Sequence, residues 1–174
     1  MKKNSIALIG FMGTGKTIVG KALADYLGNN YEFIETDQLV IEIAGKSIPR
    51  IFSEDGEEKF RNYEIAACKK ASQLKRAVIS CGGGIVLNKI NIENLKKNSY
   101  IVLLKATIEE IHRRIIKEGK ERRPLINKED PNQEIKQILA YREPFYNSSA
   151  EIIVDTTGKA IDEIVKEIIK NINL

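Results

Sequence analysis

The segment Ser5-Ile6-Ala7-Leu8-Ile9 leads directly into Gly10-Phe11-Met12-Gly13-Thr14-Gly15-Lys16-Thr17. Its second part fits the pattern G-x-x-x-x-G-K-[ST], in which glycines let consecutive backbone N–H groups surround a phosphate. Such a loop needs a strand before it and a helix after it. An apolar run precedes this loop, and apolar residues recur at spacings of three and four from Ile18 to Leu27, with Gly28 as a helix stop. The stretch therefore predicts a strand, a phosphate-binding loop and a helix, in that order.

The rest of the chain alternates in the same way between short β-branched runs and amphipathic helical stretches. This alternation is typical of βαβ units with a parallel sheet. Helix starts are indicated at Asn88, at Thr107 with Glu110, and at Asp130 with Pro131, and a last helix by the apolar spacing from Ile161 to Ile172. We predict five strands: Ser5 to Ile9, Tyr31 to Glu35, Ala77 to Ser80, Tyr100 to Leu104 and Glu151 to Val154.

The composition is that of one compact domain: 174 residues, 43% apolar and 30% charged. No apolar run approaches the ~20 residues that span a bilayer, and the apolar stretch after the basic residues Met1 to Asn4 is too short for a signal peptide. We expect a cytoplasmic protein without a membrane segment. A net charge of +4 is too small to indicate a nucleic-acid partner. The two cysteines, Cys68 and Cys81, lack the spacing of a zinc site or a disulfide framework, which favours buried thiols.

A phosphate loop alone does not separate a kinase from a GTPase, an ATPase or a nucleotide-dependent switch. Two fragments fit GTPase motifs: Asn127 to Asp130 fits N-K-x-D, and Asp155 to Gly158 fits D-x-x-G. Their order along the chain is the reverse of that in GTPases, so we interpret both as coincidences. In a kinase, Lys16 would reach the β- and γ-phosphates and the Thr17 hydroxyl would bind Mg²⁺.

Charged residues and glycines follow the next predicted strands, where open α/β sheets bind ligands. The second strand ends in Glu35-Thr36-Asp37, whose carboxylates could support Mg²⁺ and a substrate hydroxyl; alternatively, Asp37 caps a helix. The third strand ends in Gly82-Gly83-Gly84, which favours close approach of a ligand to the backbone. Arg61 suits recognition of a carboxylate, although a surface role is the simpler interpretation of an arginine on a helix.

Taken together, these residues resemble shikimate kinase over essentially the whole chain. The resemblance rests on seven segments in matching order: Gly10 to Thr17, Phe33 to Asp37, Ile51-Phe52, Phe60-Arg61 with Glu64, Ser80 with Gly82 to Gly84, Arg123 to Leu125, and Tyr141-Arg142 with Tyr146. It implies a three-layer α/β/α P-loop kinase with a five-stranded parallel sheet in the order 2-3-1-4-5. It also implies a single domain over residues 1–174, a mobile lid at about 118–132 and a shikimate-binding helical region at about 37–64.

The resemblance also implies the reaction, in which ATP phosphorylates the 3-hydroxyl of shikimate, and the roles of site residues. Asp37, Lys16 and Arg123 would be catalytic, with Arg123 on the lid. ATP would be bound by Gly13, Thr14, Gly15, Lys16, Thr17, Ile18, Arg114 and Arg123. Shikimate would be bound by Asp37, Phe52, Phe60, Arg61, Glu64, Gly82, Gly83, Gly84 and Arg142.

Two points depart from the family pattern. Family members usually carry two aspartates on the second strand, spaced one apart, whereas here the first position is Glu35. We expect Mg²⁺ to be held by Thr17 and, through water, by Glu35. The segment from Arg113 to Arg123 is also about two residues longer than usual, so either Arg113 or Arg114 could face the nucleotide; we favour Arg114.

Three functions remain open at this level. Shikimate kinase is preferred because two arginines, Arg61 and Arg142, suggest a substrate carboxylate. The alternatives are another small-molecule kinase, acting on gluconate or a nucleoside monophosphate, and a non-enzymatic nucleotide-dependent switch. No residue pattern requires a dimer, and we expect a monomer.

Overall fold

The computed structural model describes residues 3–28, 30–118 and 131–172. Strands and helices alternate along it, as the hydrophobic pattern predicts. The strands are β1 (Ser5–Ile9), β2 (Glu32–Glu35), β3 (Ala77–Ser80), β4 (Ser99–Lys105) and β5 (Ile152–Asp155). The helices are α1 (Lys16–Leu27), α2 (Thr36–Ala44), α3 (Ile48–Glu54), α4 (Gly56–Ser72), α5 (Lys89–Lys96), α6 (Ile108–Glu118), α7 (Pro131–Ser149) and α8 (Ile161–Asn171), with a short 3-10 helix at Ile85–Leu87.

The five strands form one sheet in the order β2-β3-β1-β4-β5, and every neighbouring pair is parallel. The predicted strand number and order are therefore confirmed. Two strands begin one residue later than predicted, at Glu32 and Ile152, and β4 is one residue longer at each end. At the start of β5, the backbone N–H of Glu151 still bonds the Ile101 carbonyl, so this difference concerns only where the ladder is counted to begin.

Side chains on the two faces of the sheet pack into two separate cores. Along β1, Ala7 and Ile9 belong to one core, while Ile6 and Leu8 belong to the other, as the period of two in a strand requires. Helices α1 and α8 supply the second core, for example through Leu23 and Ile168, and the remaining helices supply the first. The three-layer α/β/α architecture is thereby confirmed, and both cysteines are buried as expected.

The predicted helix starts lie at or next to the observed ones. The Asn88 side chain accepts the Ile90 N–H at the start of α5, and the Thr107 hydroxyl accepts the Glu110 N–H at the start of α6. The shikimate-binding region predicted at 37–64 consists of α2, α3 and the first half of α4. Within the described ranges, no helix has the length and apolar character that crossing a membrane requires. Most of the predicted lid, including Arg123, falls in 119–130, outside the described residues.

Candidate active site

The carboxyl ends of β1, β2 and β3 meet at one edge of the sheet. Ser80, the last residue of β3, pairs with Leu8 of β1 on one side and with Glu35 of β2 on the other. The Cys81 N–H continues this contact by donating to the Leu8 carbonyl at 3.0 Å. The phosphate loop, the Glu35-Thr36-Asp37 segment and the triple glycine therefore lie side by side, although they are far apart in sequence.

The phosphate loop is closed by its own side chains. Thr14 Oγ1 donates to the Phe11 carbonyl at 2.8 Å, and Lys16 Nζ donates to the carbonyls of Gly10 and Phe11 at 2.8 and 2.9 Å. Gly10 has φ 146°, and a Cβ there would overlap the Leu104 carbonyl oxygen. Only glycine lets the loop leave β1 this close to the end of β4.

Arg114, rather than Arg113, contacts the phosphate loop. Its Nη1 lies 3.3 Å from the Gly13 carbonyl oxygen, and its Nη2 donates to the Thr156 carbonyl at 2.8 Å. Arg113 instead points outward, with a side chain 66% exposed. Both arginines bind the Glu110 carboxylate, which lowers its pKa to about 2. The geometry thus favours Arg114 for contact with a nucleotide.

Thr156 ties the loop after β5 to the phosphate loop, a role that the sequence did not reveal. It is fully buried, and its hydroxyl lies 3.2 Å from the Thr14 carbonyl oxygen and 3.0 Å from that of Lys105. The same oxygen accepts Arg114 Nη1 at 3.0 Å. Thr156 belongs to the D-x-x-G fragment, and it contacts the loop backbone from the β5 side of the sheet.

Thr17 and Glu35, which the sequence predicts to hold Mg²⁺, are in direct contact. Thr17 Oγ1 donates to Glu35 Oε1 at 2.8 Å, which leaves a hydroxyl lone pair available to a cation. Among the described residues, no group of three or more His, Cys, Asp or Glu side chains could hold a metal by itself.

Asp37 projects into the cleft between the phosphate loop and the triple glycine. It lies in the first turn of α2, while the N-cap position is Glu35, so Asp37 is not the helix cap. A Cβ on Gly82 would lie 2.5 Å from Asp37 Oδ1, and the Gly82 N–H donates to Thr36 Oγ1 at 2.9 Å. Desolvation of the carboxylate in the cleft raises the pKa of Asp37, with the positive charge of Lys16 lowering it and the negative charge of Glu35 raising it.

Arg61 and Arg142 both approach the triple glycine. Arg61 Nη1 lies 2.8 Å from the position of a Cβ on Gly84, and Arg142 Nη1 lies 3.6 Å from that of Gly83. Arg61 is held by Glu64 at 2.7 Å and by Glu57 at 2.9 Å. Its side chain is 26% exposed, so it is not the solvated surface arginine that was the simpler expectation.

Two phenylalanines line the approach to Arg61. The rings of Phe52 and Phe60 have centroids 4.6 Å apart, and the Arg61 guanidinium carbon lies 5.2 Å from the Phe60 centroid. Phe60 is buried, whereas Phe52 is 43% exposed.

Two residues predicted on the nucleotide side remain. Ile18 is 55% exposed in the first turn of α1, and Arg123 lies outside the described residues.

Comparison with known proteins identifies the family. The family model described as shikimate kinase matches residues 12–173. A shikimate kinase of Caldanaerobacter subterraneus subsp. tengcongensis is 49% identical over 166 residues, which cover 95% of this chain and 94% of that protein.

Solved structures agree with this result. A shikimate kinase from Acinetobacter baumannii in complex with shikimate superposes with a TM-score of 0.87 at 32% identity, covering 97% of this chain and 92% of that one. A gluconokinase from Sinorhizobium meliloti has a TM-score of 0.63 at 19% identity, a likeness that concerns the fold alone. The chain belongs to the shikimate kinase family.

Proposed function

We propose that this protein transfers the γ-phosphoryl group of ATP to the 3-hydroxyl of shikimate, with the residue roles given below. The observation that carries the proposal is the position of Asp37 between a phosphate-binding loop and a cluster of two arginines. The loop supplies a donor site and the arginines supply a site for a carboxylate. Family membership supports the same reaction.

The donor half would be built from the phosphate loop, α1 and Arg114. Backbone N–H groups from Gly13 to Thr17 would surround the phosphates at the positive end of α1. Lys16, whose Nζ already lies within the loop, would bind the β- and γ-phosphates. Arg114 would lie beside the nucleotide because it packs between the loop and Thr156, and the exposed Ile18 would contact it from α1.

The acceptor half would be built around the triple glycine. Arg61 and Arg142 would bind the carboxylate of shikimate, which suits paired guanidinium groups. Gly82, Gly83 and Gly84 would bring backbone close to the substrate. Phe52 and Phe60 would line the apolar side of the site, and Glu64 would orient Arg61 through its 2.7 Å hydrogen bond.

Asp37 would hold the attacking hydroxyl and accept its proton. Its raised pKa makes this carboxylate a stronger proton acceptor than an ordinary aspartate. In a loose phosphoryl transition state, proton loss need not come early, so orientation of the hydroxyl would be the larger contribution. Lys16 on the opposite side would stabilise charge on the transferred group.

Mg²⁺ would be held by Thr17 and, through water, by Glu35. The oxygen donor set fits a hard cation that keeps most of its water and phosphate ligands. When bound, Mg²⁺ supplies charge neutralisation for the phosphates. The Glu35 carboxylate would fix the Thr17 hydroxyl by accepting its hydrogen bond at 2.8 Å.

Several expectations remain predictions from the sequence. The lid at about 118–132 and the catalytic role of Arg123 lie mostly outside the described residues. We also propose a single domain, a monomeric state, a cytoplasmic location and no nucleic-acid or membrane partner.

The proposal is tested by ADP release in the presence of shikimate, gluconate or nucleoside monophosphates. We expect stimulation by shikimate alone. Arg61→Ala should raise the KM for shikimate at least about tenfold, whereas Arg50→Ala is the matched control, because Arg50 is an exposed arginine on the neighbouring helix α3. Equal stimulation by gluconate, or hydrolysis that no acceptor stimulates, would contradict the proposal.

A further inference from the structure

Tyr146 contacts the triple glycine from the α7 side. Its side chain is buried, with the residue 2% exposed, and its hydroxyl donates to the Gly83 carbonyl at 2.6 Å. It lies one turn after Arg142 on the same face of α7. Burial raises the pKa of Tyr146 to about 12, against the opposing charge and side-chain hydrogen bond of Arg142, so the hydroxyl remains a donor at neutral pH. Tyr146→Phe therefore also removes a contact with Arg142, which the turn-state readout below does not depend on.

The contacted glycines form a tight turn. The Ile85 N–H donates to the Gly82 carbonyl at 3.1 Å, and Gly84 has φ −93° and ψ −3°. These values identify a type I β-turn over Gly82 to Ile85. A trans peptide directs its C=O and N–H to opposite sides. Because the Gly83 carbonyl faces Tyr146, the Gly84 N–H of the same peptide faces away from it.

The glycines themselves leave the orientation of this peptide open. Reversing it would convert the turn to type II, which needs a positive φ at the position of Gly84. Glycine adopts positive φ readily, whereas any other residue would resist it. The hydrogen bond from Tyr146 therefore favours the type I form at a site where the backbone has little preference of its own.

The orientation matters because Arg61 and Arg142 lie against the same turn. In the type I form, the side of the peptide away from Tyr146 presents an N–H, and in the reversed form it would present a carbonyl oxygen. The N–H would attract an anion bound between the arginines, whereas the carbonyl oxygen would repel it. We propose that Tyr146 is a positioning residue whose hydroxyl keeps the Gly84 N–H directed toward the carboxylate of the substrate. The identity of that anion rests on the proposed function; the state of the turn does not.

The test uses Tyr146→Phe, with Tyr141→Phe as the matched control, because Tyr141 is on the same helix and 65% exposed. The nuclear Overhauser effect between the Gly83 Hα protons and the Gly84 amide proton is weak in a type I turn and strong in type II. In free protein, we expect it to become strong in Tyr146→Phe and to stay weak in Tyr141→Phe. The KM for shikimate should rise about five- to tenfold in Tyr146→Phe, the effect of one neutral hydrogen bond, with kcat and the KM for ATP almost unchanged.

A second pair of variants separates turn orientation from packing. Gly84→Ala disfavours the positive φ of type II, and only the terminal nitrogen of Arg61 must move to admit the methyl group. With Ala at this position, Tyr146→Phe should leave the turn in type I and should no longer change the KM for shikimate.

An unchanged turn in Tyr146→Phe would overturn the inference, as would an equal KM effect with and without Gly84→Ala. If the turn reverses but the wild-type protein does not phosphorylate shikimate, the proposed function fails and the positioning of the turn stands.

Discussion

Arg61 Nη1 donates to Glu64 Oε2 at 2.7 Å, and the Glu64 side chain is only 5% exposed. The two residues are one helical turn apart on α4, so the helix itself sets their separation. Burial raises the pKa of Glu64 above its ordinary value of 4.5, while the hydrogen bond and charge of Arg61 act against this. Burial therefore disfavours the charged form of Glu64 at the position where this side chain orients the Arg61 guanidinium group.

Glu64→Gln should weaken shikimate binding, and it should raise the Tm relative to wild type at neutral pH more than at acidic pH. Because the folded pKa of Glu64 is raised, the folded protein binds the proton more tightly than the unfolded chain, and this residue's contribution to stability falls as pH rises from 4.5 through the folded pKa. The difference in Tm, variant minus wild type, should therefore be larger at about pH 7 than at about pH 4. In a domain of this size, each kcal/mol of stability corresponds to about 2–4 °C in Tm. The KM for shikimate should rise about fivefold, as expected for a weaker hydrogen bond to Arg61.

Thermal melts at both pH values and initial rates check this prediction. Glu58→Gln is the control, since Glu58 is an exposed glutamate on the same helix. A Tm difference that is independent of pH would contradict it.

Asp37→Asn should lower kcat by about 10²-fold or more, the usual contribution of a positioned proton acceptor. An amide can still accept a hydrogen bond from the substrate hydroxyl, so the KM for shikimate should change less than kcat. In the wild type, the raised pKa of Asp37 places the acidic limb of kcat/KM above pH 3.8, with activity increasing as the carboxyl loses its proton. That limb should disappear in the variant, and a pH profile that keeps it would assign the limb to another group.

Arg114→Ala should weaken ATP binding selectively. The substitution removes the guanidinium group, and with it the contacts to Gly13 and Thr156 that connect the phosphate loop to the loop after β5. We expect the KM for ATP to rise about tenfold, with the KM for shikimate nearly unchanged. Arg113→Ala removes a neighbouring arginine that also binds Glu110 but is 66% exposed, and its steady-state constants should match the wild type. Equal effects of the two substitutions on the KM for ATP would contradict a specific role of Arg114 in nucleotide binding.

Glu35→Gln should raise the Mg²⁺ concentration needed for half-maximal activity by about 10- to 100-fold, as expected when a carboxylate that orients a metal ligand is neutralised. Glu35→Asp is the informative companion because it restores the residue usual in the family but shortens the reach to Thr17 Oγ1, now 2.8 Å from the carboxylate. It should retain most of the Mg²⁺ affinity. Titration of activity with Mg²⁺ at fixed ATP provides the measurement, and an unchanged Glu35→Gln curve would rule out a metal role.

The sheet was predictable because each strand is a short β-branched run bounded by glycine or polar residues, as in Ala77 to Ser80. The separation of the 36–72 region into three helices was harder to predict. Its breaks depend on single residues: Gly45, with φ 68°, caps the end of α2, and α4 begins at Gly56 with φ 83°. Sequence periodicity does not resolve interruptions this short.

The candidate site was predictable where a residue has a motif and not where it has only a contact. Lys16 and Asp37 follow β1 and β2 in recognisable patterns, and only β3 lies between these two strands in the sheet. Thr156 and Tyr146 act through hydrogen bonds to backbone carbonyls of distant segments, at Thr14 and Gly83. Such contacts depend on how α7 and the loop after β5 pack, which local pattern does not encode.

Lys16 carries a consequence beyond its place in the phosphate loop. Its positive charge acts against the rise in the pKa of Asp37 across the cleft. A phosphate bound in the loop would neutralise part of that charge, so the pKa of Asp37 would rise further and the carboxylate would become more basic. Binding of ATP would then make Asp37 a better proton acceptor before transfer begins. The Lys16 ammonium group would thereby couple occupancy of the nucleotide site to the basicity of the residue that binds the acceptor hydroxyl.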